Sequence, residues 1–162
     1  MADVNLKING IPVTVPAGTT ILDAANKAGV RIPTLCFLKD INAIGACRIC
    51  ICEVKGARAL AAACVYPVAE GMEVFTDTPK VIQSRKTTLE LILSNHNMKC
   101  LSCPRSQNCE LQKLALEYGV DCDRFQGAVT PSELEDTNPY LIRDNSKCIL
   151  CRRCSAVCRA NQ

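Results

Sequence analysis

Thirteen cysteines and a single histidine, in a chain of 162 residues, are the side chains that offer chemistry. The central group reads His96-Asn97-Met98-Lys99-Cys100-Leu101-Ser102-Cys103-Pro104-Arg105-Ser106-Gln107-Asn108-Cys109, an H-x3-C-x2-C-x5-C run. Three soft thiolates and one imidazole make a four-ligand set, and such sets select zinc or iron–sulfur clusters over hard ions. On these four residues alone a Cys3His structural zinc site stands beside a cluster. At the end of a helix a lone histidine is otherwise a solvent-exposed cap on the helix dipole. Three cysteines following at once make ligation the better reading of His96.

The flanking groups favour the cluster. Upstream lies Cys36-x10-Cys47-x2-Cys50-x13-Cys64, and downstream lies Cys148-x2-Cys151-x2-Cys154-x3-Cys158. The second of these has the bacterial ferredoxin spacing C-x2-C-x2-C-x3-C; the first approximates the plant-type C-x4-C-x2-C…C spacing with a longer first gap. Gly45 and Ala46, small residues in the first group's loop, let backbone amides approach and hydrogen-bond cluster sulfurs. Two cysteines stand outside the groups, Cys52 and Cys122. Cys52 is read as a small buried hydrophobe, the usual state of a free cysteine.

The elements that must position these ligands are legible in the pattern. Val4–Ile8 and Ile11–Val15 alternate apolar and polar around Asn9-Gly10, a strong hairpin signal. Thr19 or Thr20 caps a helix with Asp23 in its first turn and Ile21, Leu22, Ala25 and Ala28 on its apolar face, stopped by Gly29. Hairpin then helix opens a β-grasp domain. Short strands are expected over Ile51–Val54, Ala59–Ala63 and Met72–Thr76. Thr78-Pro79 starts a helix running to about Ser94, with Val81, Ile82, Arg85, Leu89, Ile92 and Leu93 as its stripe, which delivers His96. A further amphipathic helix is expected from Gln107 to Tyr118. Residues 119–139, with Gly119, Gly127, Pro131 and Pro139, read as an irregular linker before the last cysteine group.

The fold class expected is therefore α+β: a β-grasp 2Fe–2S domain (1–78), a helical Cys3His 4Fe–4S domain (79–120), a linker (121–139) and a half ferredoxin-type 4Fe–4S segment (140–162). Composition agrees with metal ligation. Thirteen is an odd count, no secretory signal opens the sequence, and tight C-x2-C pairs suit chelation better than disulfides. A reducing cytoplasm is the expected compartment. No apolar run approaches the roughly 20 residues needed to span a bilayer. The formal charge of +3 counts every thiol as neutral, so cluster thiolates make the loaded chain less basic. With three Tyr, three Phe and no Trp, a base-stacking surface for nucleic acid is not indicated. Neither a phosphate-binding loop nor a nucleophile motif is present, so no catalytic residue is assigned.

Gly45-Ala46-Cys47-Arg48-Ile49-Cys50 with the strand that follows resembles the N-terminal 2Fe–2S domain of NADH dehydrogenase large iron–sulfur subunits and of multi-cluster iron-only hydrogenases. The order of all three groups is similar to the electron-relay region of iron-only hydrogenase large subunits and related formate dehydrogenases. The resemblance implies one 2Fe–2S cluster on Cys36, Cys47, Cys50 and Cys64. It further implies a 4Fe–4S cluster on His96, Cys100, Cys103 and Cys109, and a second on Cys148, Cys151, Cys154 and Cys158. A counterpart of Cys158 places the chain nearer the hydrogenase branch than the NADH dehydrogenase one. In two-cluster ferredoxins the fourth cysteine of each half serves the other cube. The sequence ends four residues after Cys158, so the fourth ligand stays open among Cys158, Cys122 and a partner chain.

That layout resembles the small iron–sulfur subunit of Stn-type electron-bifurcating NAD(P) transhydrogenases. It implies flavin- and NAD(P)-binding partner subunits and exchange with soluble ferredoxin. The truncated relay portion of a hydrogenase or formate dehydrogenase subunit would look identical, and a zinc-loaded structural or interaction protein is the remaining alternative. Replacing thiolate by neutral imidazole raises a cluster's potential, so the His96 cluster is expected to be the more oxidising cube.

Overall fold

The computed structural model describes residues 2–162, which fall into two compact units: one of residues up to Arg85 together with Arg152–Gln162, the other Lys86–Cys151. The first unit is built on a hairpin of β1 (Asp3–Ile8) and β2 (Ile11–Pro16). Asn9 (φ 49°) and Gly10 (φ 83°) take the two left-handed positions that a tight two-residue hairpin turn requires. Register pairs Leu6 with Val13 and Val4 with Val15, so Leu6, Ile8, Val13 and Val15 are buried on one face while their neighbours face solvent.

Helix α1 (Ile21–Lys27) is capped by Thr20, whose hydroxyl oxygen accepts from the Asp23 amide at 3.2 Å. It buries Ile21, Leu22, Ala24 and Ala25 in the same core. Three short strands complete the sheet: β3 (Ile51–Val54), β4 (Ala61–Ala62) and β5 (Glu73–Phe75). The order is β2-β1-β5-β3-β4, with β5 parallel to β1 and the other pairs antiparallel. Each fully buried Ile, Leu or Val contributes about 1.5–3 kcal/mol, so this core is rigid enough to hold a loop such as 36–50 at one edge.

Helix α2 (Pro79–Leu93) buries one line of residues at intervals of four: Val81, Arg85, Leu89 and Leu93. Ile82, expected in that stripe, lies one step round the helix and is 42% exposed. The division between the units falls inside this helix and not at its start, because Arg85 is bonded into β3 of the first unit. In the second unit Leu89, Leu93, Leu111 and Leu114 are buried, the last two on α3 (Glu110–Glu117). That helix starts later than the sequence pattern predicts because Gln107 has φ 66° and Cys109 becomes the N-cap.

The 121–139 segment, expected as irregular linker, contains a strand. β6 (Leu134–Asn138) pairs antiparallel with β7 (Leu141–Asp144), and Glu135 meets Arg143 at 3.0 Å across the pair. Every residue of β6 is exposed, so no apolar alternation betrays it. The last element is α4 (Arg153–Asn161), in the first unit, where the Arg153 guanidinium donates to the Phe37 carbonyl at 2.8 Å. Among the described residues no helix is long and apolar enough to cross a membrane.

Candidate iron–sulfur centres

The first cysteine group is assembled at the edge of the five-stranded sheet. Cys36, Cys50 and Cys64 are buried and Cys47 is half-buried. The thiols fall into two touching pairs: Cys36 with Cys47, and Cys50 with Cys64, while Cys64 also feels the charges of Cys36 and Cys47. The hydrogen bond between Cys50 and Cys64 holds one proton on Cys50, raising its pKa well above the ordinary thiol range and lowering that of Cys64. Burial pushes Cys36 up as well. Ionising all four in a dry site needs compensating positive charge, which a metal supplies as it displaces the protons.

Backbone amides converge on the same sulfurs. The N–H groups of Ala46 and Cys47 point to Cys36, that of Gly45 to Cys64, and the Cys36 amide donates to Cys47 Sγ at 3.4 Å. Gly45 is held at φ 62°, and a Cβ there would lie 3.2 Å from Val65 Cγ2. Two touching pairs of thiols with amide donors on their sulfurs fit a cluster of two irons, each taking two thiolates.

The second group lies in the second unit. His96 follows α2 with its amide on the Leu93 carbonyl at 3.1 Å. Its imidazole is half-buried, and burial lowers its pKa against the opposing pull of Asp144, so the ring is neutral near pH 7. Nδ1 is buried and finds no protein partner among the described residues. A neutral imidazole with an unpartnered buried nitrogen fits a metal ligand. Cys100 opens a single helical turn (Cys100–Ser102), Cys103 ends it, and Cys109 caps α3; all three are half-buried. Cys122 is within electrostatic range of Cys100 and of Glu90, so it neighbours the second group.

Of the third group, Cys148 and Cys151 belong to the second unit and Cys154 and Cys158 to the first. Cys148 follows a turn at Asn145–Lys147, and the Leu150 amide donates to its sulfur at 3.4 Å. Leu150 (φ 54°) and Arg152 (φ 60°) are both left-handed, an uncommon conformation for residues with a Cβ. Cys154 and Cys158 sit one turn apart on α4 and are exposed. Cys52 is fully buried, with its thiol 3.5 Å from the Ala61 carbonyl, and burial pushes its pKa up to about 12. Among the described residues no three His, Cys, Asp or Glu side chains close to the spacing of a single metal ion; a cluster's bridging sulfides set its ligands wider apart.

Two charged residues are not announced by the sequence. Arg85 is fully buried, and Glu90 is 1% exposed with Oε2 paired to Arg124 at 2.8 Å and Oε1 without a hydrogen-bond partner among the described residues. The one sequence signal for Arg85 is its place within an otherwise apolar stripe.

Family comparison covers the first two of these cysteine groups. Residues 1–79 match the family described as 2Fe-2S iron-sulfur cluster binding domain, and residues 85–124 the NADH-ubiquinone oxidoreductase-G iron-sulfur binding region. The NADP-reducing hydrogenase subunit HndD of Solidesulfovibrio fructosivorans is 41% identical over all of this chain and 28% of its own length. The NADH-ubiquinone oxidoreductase 75 kDa subunit of Reclinomonas americana is 36% identical over 93% of this chain and 22% of its length. The NADPH-Fe(3+) oxidoreductase subunit alpha of Geobacter sulfurreducens is 36% identical over 95% and 18%. The chain thus spans less than a third of the length of these relatives. A crystal structure of NAD+-reducing [NiFe]-hydrogenase superposes with a TM-score of 0.90 at 29% identity, covering 99% of this chain and 68% of the matched one.

Proposed function

We propose, for a chain that belongs to the family of iron–sulfur regions shared by NADH- and NADP-linked oxidoreductase and hydrogenase subunits, the role of a one-electron relay in a cytoplasmic multi-subunit complex. It carries electrons between a flavin- and NAD(P)-binding partner and ferredoxin, in the manner of an electron-bifurcating transhydrogenase. The observation that carries this reading is the largely buried four-thiol site of Cys36, Cys47, Cys50 and Cys64, with backbone amides aimed at its sulfurs.

The assignment covers three clusters. Cys36, Cys47, Cys50 and Cys64 hold a 2Fe–2S cluster on a β-grasp scaffold. His96, Cys100, Cys103 and Cys109 hold a 4Fe–4S cluster, and Cys148, Cys151, Cys154 and Cys158 a second one on a half ferredoxin segment. When bound, these groups supply one-electron carriers, those of the plant 2Fe–2S type lying near about −400 mV. The protein's share is to bury the thiolates, orient amide dipoles on sulfur, and, through the neutral His96, raise one potential above the others. Unequal potentials give electron flow a direction.

Iron and acid-labile sulfide analysis with low-temperature EPR of the anaerobically purified chain tests the reading. About ten irons per chain are expected from one 2Fe–2S and two 4Fe–4S centres; about six would remove the third cluster, and zinc without sulfide would overturn the relay. A second reading, the relay portion of a hydrogenase subunit, is favoured by the 41% identity to the hydrogenase subunit along the full chain. Hydrogen uptake by the complex purified with its native partners separates the two.

A further inference from the structure

Arg85 is the largest fully buried side chain among the described residues, and its charge lies among groups that the relay assignment does not use. Its Nε donates to the Ile49 carbonyl at 3.0 Å and its Nη2 to the Ile51 carbonyl at 2.7 Å. Those two carbonyls bracket Cys50. The remaining arm faces Asp77 Oδ1 at 3.4 Å, but Asp77 is 63% exposed, so water screens most of that charge. Asp77 also accepts from the Thr76 hydroxyl at 2.7 Å, which spreads its charge further.

We propose that Arg85 is a positioning residue of the first cluster: its planar fork clamps the backbone on either side of Cys50, and its buried positive charge sets the potential of the 2Fe–2S centre. This rests on the ligand assignment of Cys36, Cys47, Cys50 and Cys64 proposed above. A hydrophobic residue at position 85 would complete the Val81, Leu89, Leu93 line on α2 without any desolvation cost. An arginine there instead gives up its hydration before its bonds form. The two carbonyls offset part of that cost; a nearby site of net negative charge offsets more. Four thiolates around two ferric irons and two sulfides carry a net negative charge, and reduction adds one electron without making or breaking a bond. A fixed cation in a low-dielectric environment therefore stabilises the reduced form more than the oxidised one and raises the potential.

An EPR-monitored redox titration of the loaded chain against dithionite, at low ionic strength, tests the assignment in three variants. Arg85→Gln keeps N–H donors but removes the charge, and its 2Fe–2S potential should fall below that of the unsubstituted chain. Arg85→Lys keeps the charge without the fork, so its potential should stay near the original while its cluster is lost faster to a chelator. Asp77→Asn, a change at an exposed side chain whose charge water already screens, is the control and should leave the potential near the original. Coincident potentials in loaded Arg85→Gln and the unsubstituted chain would overturn the proposal. Should Arg85→Gln fail to take up iron, Arg85→Lys decides, and a cluster lost to the chelator no faster than from the unsubstituted chain overturns the proposal equally. An unsubstituted chain without sulfide and a 2Fe–2S signal would instead overturn the ligand assignment itself.

Discussion

Gly45→Ala is the substitution that most directly probes the first centre. Glycine at φ 62° costs nothing, whereas an alanine held there costs about 1–2 kcal/mol for its left-handed backbone. The new methyl would also stand 3.2 Å from Val65 Cγ2 and 3.5 Å from Ala62 Cβ. Val65 is 44% exposed and can turn aside, which keeps the crowding near or below about 1 kcal/mol. The sum is about 1–3 kcal/mol, or roughly 5- to 150-fold in the unfolding equilibrium. The Gly45 amide also donates to Cys64, so any backbone shift that relieves the strain withdraws a hydrogen bond from a cluster sulfur. Gly10→Ala is the control: φ is 83° and nothing lies within 4 Å, so only the backbone penalty applies. Urea unfolding of the anaerobic, loaded chain, followed by visible absorbance and by circular dichroism, should rank Gly45→Ala below Gly10→Ala. Val65→Ala in the Gly45→Ala background should recover the crowding share and leave the backbone share. Equal stability and equal iron content in the two single variants would refute the view that this loop is closed tightly around the cluster.

Other sites give further tests. His96→Cys should retain a 4Fe–4S signal at a lower potential, since thiolate replaces neutral imidazole; an unchanged titration would remove His96 from the ligand set. Cys52, protonated in the fold up to about pH 12 against an ordinary 9.0, contributes stability that is intact below pH 9 and is lost as pH rises from 9 towards 12. Cys52→Ala should flatten that alkaline limb in chemical denaturation, and in the native chain at about pH 8 Cys52 should resist iodoacetamide until unfolding. Leu114→Ala, at a fully buried position of α3, should cost about 2–5 kcal/mol, read as a lower melting temperature of the helical region.

Local rules made much of this protein readable. Asn9-Gly10 dictated a hairpin, Thr20 and Asp23 dictated the start of α1, and Thr78-Pro79 dictated the start of α2, because each depends on residues within a turn of one another. The cysteine groups stand out for a related reason, since the spacing within each C-x2-C pair is a local pattern. What escaped depends on long-range or solvent-facing partners. β6 has no apolar face, and its pairing rests on backbone bonds and the Glu135–Arg143 contact with a strand that itself is exposed. Arg85 looked like one element of an amphipathic stripe because its acceptors, the Ile49 and Ile51 carbonyls, are backbone atoms that no side-chain pattern announces. The late start of α3 follows from the left-handed turn at Gln107, a residue type that gives little warning of that conformation.

The thiols are unevenly sheltered: three of the first four are buried, the second group is half-buried, and Cys148, Cys154 and Cys158 are exposed. Oxidants reach sulfur in proportion to its exposure, and thiolates climb irreversibly to sulfinic and sulfonic acids once released from iron. Air should therefore strip this chain from its C-terminal end inward, leaving the 2Fe–2S centre as the last survivor. A brown preparation containing about two irons per chain would record its handling under oxygen, and the wiring of the living complex would be visible only in material that never met it.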